Sequence, residues 1–447
     1  MLNALILAAA LTTLDAPIEQ AMRDANATKF AIAVVQDDKV IYQRTFGATN
    51  ETPFYLASVP KSLTALTARL LAHEKKLDLD APLTTTLPQL KLPPPLDPAR
   101  MSVRDLLTHR LGFTNDGAIW RTSFSGDWTG EQLFKILERH TVVTPRVFTY
   151  DNLGYNLAAF AVEHAAKEPW ANVLSSRVLA PLSMTHTTST PCISTKSART
   201  MNRGSGGLCS SIDDMTRWLR VNMTDGVFDG KRVFPLAVMR EIHSPQISLQ
   251  RKFGRLDRYA YGLGWYHADY QGDVVIHHFG SYPGAWAHVS WMPDRRIGIV
   301  TLANAYNPLP DVVAMLAYDT LLGRDTARTQ FDEDMKKIRE RLASRPQRNA
   351  ELEKKIASEV GDSDRTLGSY AGTYVDEALG TMIVREQNGE LHATMGDRSG
   401  RLIRARGDAF YVQWYSDDGP DRVTFTADAL KWMDRELKRN AGVPPAE

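Results

Sequence analysis

The sequence predicts an α+β protein: an antiparallel sheet flanked by helices, a mostly helical region, and a small C-terminal β-barrel. Three observations indicate this class. Strand-like segments lie at both residues 30–42 and residues 274–302, the chain between them is mostly helical, and short strands separated by hairpin turns follow residue 365. The chain has 447 residues, of which 43% are apolar and 23% charged, which is typical of a soluble globular protein with two or three domains.

The N-terminus begins with an apolar run from Ala4 to Leu11 that includes a small-residue segment, Ala8-Ala9-Ala10. This run indicates a possible signal peptide at residues 1–16, although it has no basic segment before it. The alternative is an N-terminal helix that packs on the domain. The run is shorter than the roughly 20 residues that a membrane-spanning helix needs. We therefore expect a periplasmic or secreted protein without a stable membrane span.

The first predicted elements are a strand at residues 30–35, a turn at Asp37-Asp38 and a strand at residues 40–42, which together form a hairpin. Pro60 can occupy the first turn of a helix, and apolar residues at helical spacing extend this helix to His73. The chain from there to residue 302 contains three more predicted helices and three more predicted strands. Helices are predicted at residues 103–108, 153–166 and 212–222, and strands at residues 274–276, 287–292 and 297–302.

The composition changes twice in the second half of the chain. Residues 326–364 mix Lys, Arg, Glu and Asp, which predicts a solvated helical linker after a domain at residues 17–325. Residues 365–447 then contain short strands and hairpin turns such as Asn388-Gly389 and Asp418-Gly419. They predict a separate small β domain.

Charge and cysteine content exclude several classes of function. Lys and Arg number 53 against 52 Asp and Glu, which gives no general attraction to nucleic acids. The two cysteines, Cys192 and Cys209, cannot form a four-ligand zinc site; they either pair in an exported chain or remain buried apolar side chains. His277 and His278 are adjacent on a predicted strand, so their rings point to opposite faces and cannot share one ion. The sequence predicts no metal and no cofactor.

A candidate nucleophile lies in Ser58-Val59-Pro60-Lys61. Residues three apart at a helix start lie on one face, so the Lys61 amine can reach the Ser58 hydroxyl. A desolvated amine has a lowered pKa and can act as a base. The backbone N–H of Ser58, beside a helix N-terminus, can stabilise developing negative charge. The motif is short enough to arise by chance, so an ordinary surface helix is the alternative.

Two further segments support the chemical interpretation. Tyr150 precedes a predicted helix, and a phenol whose pKa is lowered by a neighbouring ammonium can transfer the serine proton. His278 is followed by Phe279-Gly280-Ser281 on a predicted strand, where Gly280 permits close backbone approach.

These segments resemble the serine β-lactamase and penicillin-binding-protein superfamily, in its class C-like branch of esterases, D-aminopeptidases and β-lactamase-related hydrolases. The similar segments occur in family order at residues 55–65, 103–113, 148–155, 206–211, 261–265, 278–284 and 301–304. The tail resembles the lipocalin-like barrel found in some members. The resemblance implies that Ser58 is acylated, that Lys61 and Tyr150 activate it, and that the backbone N–H groups of Ser58 and Ser281 form the oxyanion hole.

The resemblance also implies that Asn152, His278 and Gly280 bind the substrate, a small-molecule or peptide-like acyl compound. Two departures bear on its identity. His278-Phe279-Gly280 stands where β-lactamases usually have Lys-Thr-Gly, and Leu309 and Val312 fall where class C enzymes hold a carboxylate. We therefore expect a serine hydrolase acting on ester or amide substrates of D-amino-acid or peptide-like type. The alternatives are a true β-lactamase or DD-peptidase and a catalytically silent penicillin-binding-type receptor.

Overall fold

The computed structural model describes residues 11–124, 129–190, 192, 204–359, 361, 363–396, 398–414, 420–433 and 435–440. Residues 1–10 of the possible signal peptide lie outside this range, as does the predicted turn at Asp418-Gly419. In the described part of the chain, no helix combines the length and apolar character needed to cross a membrane.

The main sheet has eight antiparallel strands and joins the N-terminal hairpin to strands from residues 247–303. Their order is β2 (Lys39–Phe46), β1 (Phe30–Gln36), β14 (Ile297–Ala303), β13 (Ala285–Met292), β12 (Asp273–Tyr282), β11 (Tyr266–Tyr270), β10 (Leu256–Tyr261) and β9 (Ile247–Phe253). The pairing of Phe30 with Ala303 joins the N-terminal hairpin to the later strands. This arrangement confirms the predicted α+β class.

The helices lie on both faces of this sheet and in the middle region. They are α1 (Asp15–Asp24), α2 (Pro60–His73), α3 (Leu83–Thr86), α4 (Val103–Leu107), α5 (Asp116–Phe124), α6 (Gly130–His140), α7 (Asn152–Ala166), α8 (Trp170–Leu174), α9 (Ile212–Met223), α10 (Leu236–His243), α11 (Leu309–Leu321), α12 (Ala327–Ala343) and α13 (Arg345–Ser358). Side chains of β1 alternate between two cores: Ala31 and Ala33 pack with the middle helices, whereas Ile32 and Val34 pack with α1, α11 and α12. Strand β1 is therefore buried on both faces.

Short elements connect the longer helices and strands. Three two-stranded sheets pair β3 (Phe54–Tyr55) with β6 (Cys209–Ser210), β4 (Phe113–Thr114) with β5 (Val142–Val143), and β7 (Val227–Phe228) with β8 (Lys231–Arg232). A π-helical turn covers Ser175–Leu179, and 3₁₀ turns cover Pro98–Arg100, Ala180–Leu182 and Leu367–Tyr370.

The charged segment after residue 325 is helical, as its composition predicts, but one part of it is not solvated on all sides. Helix α12 buries Phe331, Met335 and Ile338 in the same core as α11. Three apolar side chains at helical spacing give α12 a buried face. This helix therefore packs in the same core as one face of the main sheet.

The C-terminal strands form a closed eight-stranded barrel, which confirms the predicted β domain. In order around the barrel they are β15 (Gly372–Asp376), β16 (Gly380–Gln387), β17 (Glu390–Met395), β18 (Arg398–Arg404), β19 (Ala409–Trp414), β20 (Asp421–Phe425), β21 (Ala429–Trp432) and β22 (Arg435–Arg439). Trp120 of α5 belongs to the barrel's apolar core and lies 5.3 Å from Trp414 and 4.9 Å from Trp432 between ring centroids. The barrel thus docks on the helical region through a buried tryptophan.

Candidate active site

Ser58 lies on a tight turn between a short strand and a long helix. Strand β3 pairs with β6, and the Leu56 N–H donates to the Leu208 carbonyl oxygen at 2.9 Å. Ala57 then has a φ of +49°, in the left-handed region that a non-glycine residue seldom adopts. The turn is followed at once by α2, which starts at Pro60. Ser58 is therefore held by a constrained backbone at the beginning of a helix.

The Lys61 side chain is completely buried and converges on the candidate nucleophile. Its Nζ atom lies 3.1 Å from Ser58 Oγ, 2.7 Å from Asn152 Oδ1 and 2.8 Å from the Ser205 carbonyl oxygen. Burial lowers the pKa of Lys61 well below the usual lysine value, and the nearby Asp151 carboxyl opposes this only in part.

The three partners of Lys61 match the hydrogen-bonding capacity of a neutral amine. A neutral amine has two N–H donors and one lone pair. The two N–H groups can donate to Asn152 Oδ1 and to the Ser205 carbonyl, which only accept. In the structure Nζ donates to Ser58 Oγ, and in the neutral amine the lone pair can instead face this hydroxyl and accept its proton. This geometry is that of a base beside a nucleophile.

Tyr150 lies directly over the amine, with its ring centroid 4.9 Å from Lys61 Nζ. Burial raises the pKa of Tyr150 well above that of a free phenol, while the Ser58 hydroxyl opposes the shift. The predicted lowering of this pKa is wrong, because a buried Lys61 favours its neutral form and supplies no permanent cation. No group within the described residues meets hydrogen-bond geometry with Tyr150 Oη. The phenol therefore holds its proton at neutral pH.

His109 and Asp151 fix the segment that carries Tyr150. The Asp151 N–H donates to His109 Nδ1 at 3.1 Å, and the His109 and Tyr150 rings are 4.5 Å apart. The Asp151 side chain caps α7 by accepting from the Leu153 N–H, and burial raises the pKa of Asp151 to about 6. Asn152 is consequently the first residue of α7, with its amide directed at Lys61.

Strand β12 passes against the nucleophile turn at Gly280. A Cβ atom at this position would lie 2.8 Å from the Ser58 nitrogen and would collide with the Leu56 carbonyl oxygen. Only glycine permits this approach. The next residue, Ser281, lines a cavity of about 160 Å³ together with Ser58 and Asn152. The structure thus brings both predicted oxyanion-hole residues to one cavity.

His278 does not reach this cavity. It is 0% exposed, its Nδ1–H donates to the Phe279 carbonyl oxygen at 2.7 Å, and its Nε2 lies 3.4 Å from Tyr261 Oη. Burial, with a smaller effect of Lys61, lowers the pKa of His278 well below the usual histidine value. The neutral form of the ring is therefore favoured, and His278 contacts Tyr261 instead of lining this cavity, while its contact with substrate stays a prediction.

The positions that correspond to the class C carboxylate partners are also remote from the cavity. Leu309 is completely buried at the start of α11. Val312 lines a separate, mostly apolar cavity of about 350 Å³ between α11 and α12. Neither side chain can bind an anion, as the sequence predicts.

Two groups at the site were not identified from the sequence. The Ser205 carbonyl accepts from Lys61, and Arg398 of the barrel lines the cavity beside Ser58. No local pattern in the sequence assigns a carbonyl to Lys61. As for metals, no three His, Cys, Asp or Glu side chains of the described residues are grouped so as to bind an ion.

The α+β fold with an appended barrel and a serine paired with a buried lysine defines a protein of the serine β-lactamase and penicillin-binding type. The Beta-lactamase family model matches residues 14–324, and the chain belongs to this family. Members of the family are generally serine hydrolases.

Known proteins are similar to this chain at low sequence identity. Protein flp of Staphylococcus aureus (strain NCTC 8325) is 20% identical over 65% of this chain, and the alignment spans 62% of that protein. The D-alanyl-D-alanine-carboxypeptidase/endopeptidase AmpH of Escherichia coli (strain K12) is 25% identical over 61% of this chain and 78% of its own length. The octameric penicillin-binding protein homologue from Pyrococcus abyssi superimposes with a TM-score of 0.61 at 19% identity, covering 96% of this chain and 99% of that one.

Proposed function

We propose that this protein is a serine hydrolase that forms an acyl-enzyme on Ser58. The observation that carries the proposal is the buried Lys61 amine, 3.1 Å from Ser58 Oγ, with its pKa lowered by burial. A receptor that only binds its ligand gains nothing from a base held in its neutral form. The pair therefore favours catalysis over a silent binding protein.

The reaction takes place in two stages. Ser58 Oγ bonds to the substrate carbonyl carbon as its proton passes to Lys61 Nζ, and the backbone N–H groups of Ser58 and Ser281 stabilise the oxyanion. The bond to the leaving group then breaks, and the leaving group takes a proton from Tyr150, which recovers one from Lys61. Water attacks the acyl carbon by the same proton path and releases the acid and free Ser58.

We infer that the substrates are esters or amides of D-amino-acid or peptide-like type. The similarity to AmpH, named for its action on D-alanyl-D-alanine, supports this class. β-Lactam hydrolysis is less well supported, because His278 is buried and neutral, Leu309 is buried, and Val312 lies in another cavity.

We also propose that the protein acts in the periplasm or outside the cell. Cys192 and Cys209 form a disulfide, which persists in oxidising compartments. The bridge is next to β3, since Cys209 pairs with Tyr55 across the two-stranded sheet. It therefore supports the segment that leads to Ser58.

A substrate panel tests the proposed function. Purified protein and Ser58→Ala are compared on p-nitrophenyl esters, D-amino-acid amides, D-alanyl-D-alanine peptides and nitrocefin. We expect turnover of ester or amide substrates that Ser58→Ala abolishes. Equal turnover by both proteins would contradict the nucleophile, and a kcat/KM for nitrocefin above that for every other substrate would identify a β-lactamase instead.

A further inference from the structure

The apolar cavity of about 350 Å³ that contains Val312 has one wall outside the family match. Its lining comes from the β9–β10 turn, from β13, from the start of α11 and from α12. Helix α12 begins at residue 327, whereas the Beta-lactamase family model ends at residue 324. Tyr306 is the one described residue that lines both this cavity and the cavity beside Ser58. The two cavities are therefore neighbouring but separate spaces.

Aromatic and aliphatic side chains form most of the walls of this cavity. Phe253, Trp286 and Tyr306 contribute rings, and the ring centroids of Trp286 and Tyr306 are 6.3 Å apart. The aliphatic part of the lining consists of Leu256, Val312, Met315, Ile338 and Leu342. Such walls favour an apolar ligand, and the faces of aromatic rings also attract cations.

The Asp311 carboxylate, which lines the cavity, is held by a network of hydrogen bonds. Trp286 Nε1–H donates to Asp311 Oδ2 at 2.7 Å, and His288 Nδ1–H donates to Asp311 Oδ1 at 2.7 Å. Behind them, His288 Nε2 lies 2.8 Å from Ser290 Oγ, which lies 2.9 Å from Tyr318 Oη. Ser290 is completely buried, so this network orients Asp311 and offers no second nucleophile. Asp311 therefore has a fixed place in the cavity wall.

Asp311 keeps acceptor capacity for a ligand. A carboxylate has about four acceptor sites, and the two donors occupy two of them. No lysine or arginine of the described residues forms an ion pair with Asp311, whose side chain is 13% exposed. The other carboxylate of the lining, Asp334, is instead paired with Arg255 and Lys337. Arg341 is exposed, so solvent screens its charge. Asp311 is therefore the buried charge that a ligand meets in this cavity.

We propose that this cavity binds an apolar or aromatic amine in its protonated form, with the ammonium group against Asp311 and the apolar part against Trp286 and α12. An ammonium donates charge-assisted hydrogen bonds to a carboxylate and is attracted to aromatic faces. Burial of the apolar part adds the hydrophobic contribution. The inference goes beyond the proposed function and does not depend on it, because no step involves Ser58.

The test measures binding to the full-length protein at neutral pH. Calorimetry compares three ligands of similar size, phenylbutylamine, phenylbutanol and phenylbutyrate, which are positive, neutral and negative. The same ligands are measured on Asp311→Asn, which keeps the shape of the side chain, and on Val312→Trp, which fills part of the cavity. Asp332→Asn is the matched control, because Asp332 is an exposed aspartate on α12 that does not line the cavity.

We expect wild type and Asp332→Asn to bind the amine at least about tenfold more tightly than the alcohol, the effect of charge-assisted hydrogen bonds, and to bind the acid least. Asp311→Asn should lose this preference, and Val312→Trp should weaken binding of the amine and the alcohol alike. Val312→Trp leaves Asp311 in place, so it decides the location even if Asp311→Asn does not fold.

Three results overturn the inference. Wild type binds the amine no more tightly than the alcohol or the acid, Asp311→Asn keeps the wild-type preference, or Val312→Trp binds the amine as tightly as wild type. Labelling of Ser58 by a fluorophosphonate, measured in parallel, reports on the proposed function separately.

Discussion

Gly280 lies against the backbone of Ser58, so close that a Cβ atom at position 280 would be 2.8 Å from the Ser58 nitrogen. That nitrogen is one of the two proposed oxyanion donors. Strand β12 and the nucleophile turn are thus in direct backbone contact, and neither can move without displacing the other.

Gly280→Ala should therefore reduce activity strongly. The added methyl group meets backbone atoms that cannot rotate away, and overpacking of this kind costs about 1–3 kcal/mol of stability. We expect a lower melting temperature and a kcat reduced by at least about tenfold, since a displaced donor weakens the oxyanion hole. Gly368→Ala is the control, because its Cβ would meet only the flexible end of Glu386. Unchanged kinetics for Gly280→Ala would contradict the close approach.

The lowered pKa of Lys61 should appear in the pH dependence of acylation. The base is active when the amine is neutral, so kcat/KM should rise with pH through a midpoint well below 10.5, the ordinary lysine value. Lys61→Met should lower kcat by about 10² to 10⁴ and remove this rise of kcat/KM with pH. The exposed Lys39→Met serves as control. If the midpoint of the rise in kcat/KM stays near 10.5, the ordinary lysine pKa, Lys61 is not held in its neutral form.

The raised pKa of Tyr150 predicts a proton donor. Tyr150→Phe should then affect poor leaving groups most, with a loss of about 10² to 10⁴ on a D-amino-acid amide and a smaller loss on a p-nitrophenyl ester. Tyr259→Phe, at an exposed tyrosine, is the matched control. Equal losses on both substrates would assign Tyr150 a different role.

Lys61 and Tyr150 should also behave as one unit. Because they share a single proton path, the double variant Lys61→Met/Tyr150→Phe should be little worse than the poorer single variant. Steady-state kinetics on one ester substrate measure this. Losses that multiply would indicate two separate functions.

Local sequence patterns were sufficient to predict much of the fold. The hairpin at residues 30–42 is formed by β1 and β2, and the helix predicted from Pro60 to His73 is α2 with the same limits. A run of apolar residues followed by a turn, and a proline in a first helical turn, depend on near neighbours, which a sequence shows directly. The buried face of α12 was missed because its charged residues dominate the composition while only three apolar side chains reach the core.

The site was less predictable wherever its chemistry depends on distant residues. His278 is neutral because tyrosines from three other segments enclose it, with rings of Tyr150, Tyr261 and Tyr266 within 6.5 Å. Arg398 reaches the cavity only because Trp120 docks the barrel on α5. The burial of His278 and the docking of the barrel both depend on residues far apart in the sequence. No local pattern therefore indicates that His278 is neutral or that Arg398 lies at the cavity.

The disulfide should contribute measurably to stability. Cys192 and Cys209 are separated by 17 residues, and a loop of this size corresponds to about 3 kcal/mol of stabilisation in the chain-entropy account. Reduction with dithiothreitol should lower the melting temperature of wild type. The double variant Cys192→Ser/Cys209→Ser should start lower and should not respond to the reductant. A wild-type melting temperature unaffected by reduction would contradict this contribution.

The most direct test of the account is to find which residue is acylated. Wild type, Ser58→Ala and Lys61→Met are treated with a fluorophosphonate probe, and the adduct is located by intact mass and peptide mapping. We predict a single adduct on Ser58 in wild type, none in Ser58→Ala and slow labelling in Lys61→Met. An adduct on another residue, or labelling of Ser58→Ala at the wild-type rate, would contradict the serine–lysine mechanism.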